Sequence, residues 1–124
     1  MNVICVDESR LSLAGLRRRT QRIVPDARVY ACRSPGKAVE LAEEYGCDVL
    51  VTGVDMGESG REGISLAEKI KQRNPRVNII FVTVRSMQDC ANDFVRLRAS
   101  GFIRKPYEAR ELAEEFANLR YATG

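Results

Sequence analysis

No histidine occurs anywhere in the 124 residues. That excludes a Ser-His-Asp or Cys-His nucleophile and any mixed Cys/His zinc site. The four cysteines, Cys5, Cys32, Cys47 and Cys90, have neither CxxC spacing nor regular intervals, so a four-thiolate site is unsupported too. They read as small core residues kept reduced in a cytoplasm. No apolar run approaches the roughly 20 residues of a membrane span. The opening MNVICVDES has no basic segment leading into a long apolar one, so no signal peptide is expected. Basic residues exceed acidic ones by only 20 to 17, and a formal charge of +3 makes no case for nucleic-acid binding.

What is present is ordinary for one compact soluble domain, with 44% hydrophobic and 30% charged residues. Five short apolar runs alternate with five amphipathic stretches. The runs are Val3–Val6, Val29–Cys32, Val49–Thr52, Asn78–Thr83 and Phe102–Ile103. They are nearly continuous and rich in Val and Ile, as strands covered on both faces are. Leu13, Leu16, Thr20 and Ile23 mark a first helix that stops before Pro25. A second runs from a Ser34 cap and Pro35 to Gly46, burying Ala38, Leu41, Ala42 and Tyr45. Ile64, Ala67 and Ile70 mark a third, ending near Asn74-Pro75. Met87, Cys90, Ala91, Phe94 and Leu97 line a fourth, and Leu112, Phe116 and Leu119 a fifth. This alternation predicts a doubly wound α/β sandwich over 1–124, without internal linker or repeat.

In such folds the working site lies beyond the C-terminal strand ends. Asp7 and Glu8 follow the first strand there, Gly53 ends the third, Thr83 the fourth, and Lys105-Pro106 follows the fifth. An acid pair, a hydroxyl and a lysine at one edge suit a divalent cation and a phosphoryl group. No single one of these residues is specific; their joint placement is.

Over nearly its whole length the chain resembles the receiver domain of two-component response regulators. The segments VICVDES, CDVLVTGVDM, NIIFVTV and ASGFIRKPY carry the likeness. NIIFVT, ASGFIRKP and ELAEEFANLRY look most like bacterial receivers joined to LytTR-type or similar DNA-binding output domains. The resemblance implies a flavodoxin-like (βα)5 fold with strand order 2-1-3-4-5. It sets Asp7 and Glu8 at the Mg²⁺ acids, Thr83 at the switch hydroxyl, Phe102 at the switch aromatic and Lys105 at the family's lysine. It also implies transcriptional regulation, a histidine kinase as partner, and dimerisation through the fourth helix, fifth strand and fifth helix. DNA contact would come only through an output domain absent from 1–124. The chain is then either the N-terminal part of a longer regulator or a protein that stands alone.

The departure lies in the third strand. The family has its phosphoacceptor aspartate five residues after the acid that opens this strand, followed by Ile-Glu-Met-Pro. Counting from Asp48 reaches Gly53, and Gly-Val-Asp-Met-Gly fills the five positions. Asp55 and Met56 match the Glu-Met, Gly57 replaces the proline, and the loop is two residues longer. A glycine accepts no phosphoryl group, so in this register the resemblance implies a pseudo-receiver working without phosphorylation. Any Mg²⁺ left would be bound weakly, on the order of millimolar, or not at all. Lys105, without an anionic acceptor beside it, should turn to Asp7 or Glu8.

Competing readings stay open. Asp55 is either an alternative acceptor in a conventional receiver or a solvent-facing loop acid. Asp7 and Glu8 either hold a metal or neutralise Lys105 and cap the first helix. The run Arg17, Arg18, Arg19 and Arg22 reads as a solvated face, with no interleaved aromatics for base stacking. A small flavodoxin-like enzyme or nucleotide binder is disfavoured, because VDESRLS stands where a glycine-rich phosphate loop would follow the first strand.

Overall fold

The computed structural model of the chain describes residues 1–119. Five strands and five helices alternate: β1 Asn2–Val6, α1 Arg10–Ile23, β2 Arg28–Cys32, α2 Pro35–Tyr45, β3 Val49–Thr52, α3 Glu62–Arg73, β4 Asn78–Thr83, α4 Met87–Arg96, β5 Gly101–Arg104 and α5 Ala109–Ala117. The strands form one parallel sheet in the order β2-β1-β3-β4-β5. This is the flavodoxin-like sandwich expected. Residues from 120 on, most of the LRYATG segment, lie outside the description.

The period-2 geometry of a strand sends alternate side chains to opposite faces. Ile4, Val6, Leu50, Ile79 and Phe81 face one cluster, shared with Ala38, Ile64, Ala67, Ile70 and Cys90 of α2, α3 and α4. Val3, Cys5, Val49, Val51, Ile80 and Val82 face the other, with Leu13 and Leu16 of α1 and Leu112 and Phe116 of α5. All four cysteines are buried and unpaired. No helix among the described residues is long and apolar enough to cross a membrane.

Two predicted core positions are corrected. Tyr45 is 45% exposed. It ends α2, where its ring stacks on Tyr30 at 4.8 Å between centroids, so this amphipathic ring finds a half-wet partner instead of the core. Met87 is 41% exposed, because it opens α4 directly after the Ser86 cap and Cys90 is the buried position of that helix. In the other direction, Val54 and Met56 of the loop after β3 are buried in the first cluster.

Candidate functional site

The order 2-1-3-4-5 reverses direction between β1 and β3, and there the strand ends part to leave a crevice. Register sets the ends level. Val6 lies beside Thr52, so Asp7 and Gly53, one residue on, stand side by side, and the Gly53 N–H donates to the Val6 carbonyl at 3.2 Å. Thr83 lies beside Arg104, and the Lys105 N–H donates to the Thr83 carbonyl at 2.7 Å. The resulting cleft, about 250 Å³, is lined by Asp7, Glu8, Gly53, Asp55, Thr83 and Lys105, among others.

Inside it Lys105 and Asp7 already pair. Lys105 Nζ donates to Asp7 Oδ2 at 2.7 Å and to Ser12 Oγ at 3.2 Å. Asp7 Oδ1 accepts from the Ser9 N–H at 2.8 Å. Glu8 Oε2 accepts from the Gly57 N–H at 3.0 Å, tying the loop after β3 to the start of α1. The cap of α1 is neither acid but Ser9, whose hydroxyl accepts from the Ser12 N–H. Thr83 is buried, and its Oγ1 accepts from the Arg85 N–H at 3.2 Å. Phe102 lies on β5 outside the cleft lining, packed against the cluster of α2, α3 and α4.

Asp55 turns elsewhere. Its Oδ1 accepts from Arg85 Nε at 2.6 Å. That hydrogen bond, with the carboxylate's charge, raises the Arg85 pKa further. Val54 and Met56 anchor the backbone on either side of Asp55 in the core. Neither Arg85 nor the Ser9–Ser12 pair was singled out from sequence. The signal for Arg85 was a basic residue two places after the strand-end hydroxyl.

The glycines around the cleft are not equivalent. Gly57 has φ +77°, where other residues are strained, and a Cβ there would collide with the Glu62 side chain. A Cβ on Gly63 would collide with the Gly53 carbonyl, which α3 approaches closely as the Gly63 N–H donates to the Val54 carbonyl at 3.2 Å. Gly53 has neither constraint. Its φ lies outside the left-handed region, and a Cβ would rest at 3.6 Å from Met56 Cγ and Sδ and 3.7 Å from the Val82 carbonyl. A Cβ fits there in ordinary van der Waals contact.

The Lys105–Asp7 pair joins side chains only 24% and 11% exposed, so it lies between the screened surface pair and the fully desolvated one. Lys105→Met should cost about 1–2 kcal/mol, mostly by leaving Asp7 without its cation. A double-mutant cycle with Asp7→Asn, read by urea unfolding at neutral pH, should return a coupling of about that size. Coupling near zero would mean that water, not Lys105, satisfies Asp7.

The family profile described as response regulator receiver domain matches residues 3–117. The chain belongs to the response regulator receiver family. The transcriptional regulatory protein DegU of Brevibacillus brevis is 25% identical over 115 residues, which is 92% of this receiver and 48% of DegU. The cyclic di-GMP phosphodiesterase response regulator RpfG of Xanthomonas campestris pv. campestris is 24% identical over 121 residues, 96% of this receiver and 32% of RpfG. The receiver thus spans half or less of the curated relatives it matches. Among solved structures, chemotaxis protein CheY4 of Vibrio cholerae superimposes with a TM-score of 0.83 at 16% identity, covering 96% of this receiver and 98% of CheY4. RcsB of Salmonella enterica serovar Typhimurium, bound to promoter rprA, gives 0.78 at 24% identity, over 99% and 70% of the two chains.

Receivers are signalling modules, not enzymes; they interact with histidine kinases and output domains and can dimerise. They commonly bind Mg²⁺ at the phosphorylation site. The residues of this cleft fit that ion poorly. Each Asp7 oxygen already accepts one hydrogen bond, from Lys105 and from Ser9, and Glu8 Oε2 holds the Gly57 N–H. No group of three or more acidic, cysteine or histidine side chains that could hold a metal occurs among the described residues. Hard cations want several oxygen ligands, and Gly53 offers no carboxylate.

Proposed function

We propose that this receiver works as a pseudo-receiver: a signalling module of a two-component transcriptional regulator that lacks the phosphoacceptor and acts through protein contacts independently of phosphorylation. The supporting observation is Gly53. It stands beside Asp7 at the head of the cleft, in a conformation and a space that would accept a Cβ, so backbone geometry gives no reason for glycine. The pairing of Lys105 with Asp7 supports the same reading, because the cation that would neutralise an acceptor is already matched. No step of this function passes through a metal ion.

Residues 1–124 then serve as the receiver part of a longer bacterial, cytoplasmic regulator, whose output domain contacts DNA. Dimerisation would use α4, β5 and α5. Part of the charge on that face is paired within the chain, Arg96 with Glu68 and Asp93 and Arg110 with Glu108; among the described residues Arg98 and Arg104 have no carboxylate partner, and their charge would meet a second copy.

The test is intact mass after incubation with acetyl phosphate and Mg²⁺. The chain should remain unmodified, and Asp55→Asn should change nothing. A phosphoryl adduct that disappears in Asp55→Asn but persists in Asp7→Asn would establish a conventional receiver using Asp55 and overturn the proposal.

A further inference from the structure

The positive charge of this chain is concentrated on one helix. α1 carries Arg10, Arg17, Arg18, Arg19 and Arg22 and no acid, whereas the remainder holds fifteen basic against seventeen acidic side chains. Without α1 the chain would be net acidic. The arrangement opposes the helix's own stability: Arg18 and Arg22 stand four residues apart, where like charges repel, and Arg10 sits at the positive end of the helix dipole. Elsewhere arginines rest on carboxylates, Arg61 on Asp93, Arg73 on Glu43 and Arg85 on Asp55. Among the described residues no carboxylate pairs with any arginine of α1. Arg19 alone has a partner, the Tyr107 ring at 5.3 Å.

The other four rim a groove of about 640 Å³, more than twice the volume of the strand-end cleft and sharing no lining residue with it. The groove follows the flank of α1 that faces edge strand β2, with Leu13, Ala14 and Ala31 forming its apolar floor. From Arg10 to Arg22 the helix advances about 18 Å.

We infer that this groove docks an acidic amphipathic segment of a partner protein, with apolar side chains on the floor and carboxylates on the arginines. Arginine suits such a rim because its planar, weakly hydrated fork meets a carboxylate in two parallel hydrogen bonds. The length and the floor select the occupant. A small anion uses neither, a nucleic acid would meet an apolar floor with no aromatic to stack on, and a flat bilayer does not enter a concave groove. The inference does not depend on how Gly53 is read.

The probe is a fluorescein-labelled peptide with glutamates on one helical face and leucines spaced i, i+3, i+4, i+7 on the other. It is titrated by anisotropy against the full chain. Arg17→Gln with Arg22→Gln should weaken binding at least about tenfold, a loss of about 1.4 kcal/mol. Ala14→Glu, an exposed change in the floor, should do the same. Removing two charges elsewhere, Lys69→Gln with Arg76→Gln, should leave affinity unchanged. Glutamine is a good helix former, and thermal melts check that each variant folds. The inference fails if the peptide does not bind, or if both charge pairs weaken it equally. It also fails if a leucine-to-serine peptide, a DNA duplex or phosphatidylglycerol vesicles bind as tightly, since the surface would then attract any polyanion.

Discussion

Gly53→Asp should convert an inert chain into one that takes up a phosphoryl group from acetyl phosphate in a magnesium buffer. The substitution is cheap locally. Gly53 lies outside left-handed φ, and an added Cβ makes ordinary contacts with Met56 and the Val82 carbonyl. It also replaces a glycine at a strand end, where backbone entropy and missing packing are mildly unfavourable. The new carboxylate would emerge in the cleft with Asp7, Glu8, Thr83 and Lys105. Its oxygen attacks the phosphorus of acetyl phosphate, a P–O bond forms, and the bond to the acetyl oxygen breaks to release acetate. Three clustered acids repel one another, so the variant should also be less stable than the parent without divalent cation. Intact mass should show one adduct in Gly53→Asp and none in the parent, and Gly53→Asn should stay unmodified. An unmodified Gly53→Asp would mean that more than the acceptor is missing, with the Lys105–Asp7 pair the first suspect.

Much of this was legible in the sequence, for identifiable reasons. Strands buried on both faces must be apolar along nearly their whole length, so Val3–Val6 and Asn78–Thr83 declared themselves without periodicity. Strand ends in a parallel sheet converge on one edge, which is why Asp7, Gly53, Thr83 and Lys105, far apart in sequence, line one cleft. The rest depended on side-chain partners that spacing does not encode. Arg85 captures Asp55 across thirty residues, and Tyr45 leaves the core for Tyr30 because α2 ends where it does. Val54 and Met56 enter the core from what reads as a polar loop, since the chain continues to alternate for several residues after the last ladder bond. The arginine run of α1 looked like a solvated face; only packing against β2 shows the apolar floor beneath it.

The second large effect is alkaline, and it comes from the thiols. Burial pushes Cys5 from the ordinary 9.0 up to about 12, aided by Cys32 and only partly countered by its contact with Thr20. Cys47 is likewise pushed up to about 12, first by burial and then by the charge of Asp48. Both thiols stay neutral in the fold while an unfolded chain would ionise them. A folded pKa raised above the unfolded one gives stability that is complete below pH 9 and is lost as pH climbs towards 12. At pH 11 each thiol has forfeited roughly 2–3 kcal/mol, so the pair removes roughly 5 kcal/mol. That reaches the lower end of the 5–15 kcal/mol typical of a fold, so cooperative unfolding should set in from about pH 11 upward. Lysines and tyrosines titrate in the same range, so the decisive measurement is a difference. Urea unfolding under reducing conditions should show Cys5→Ala with Cys47→Ala weaker than the parent at pH 7, where the cavities cost about 1 kcal/mol each. By pH 11 the order should reverse, because the variant has no thiol to ionise. Parallel stability curves from pH 8 to 11 would show that the two buried sulfurs do not govern the alkaline limit.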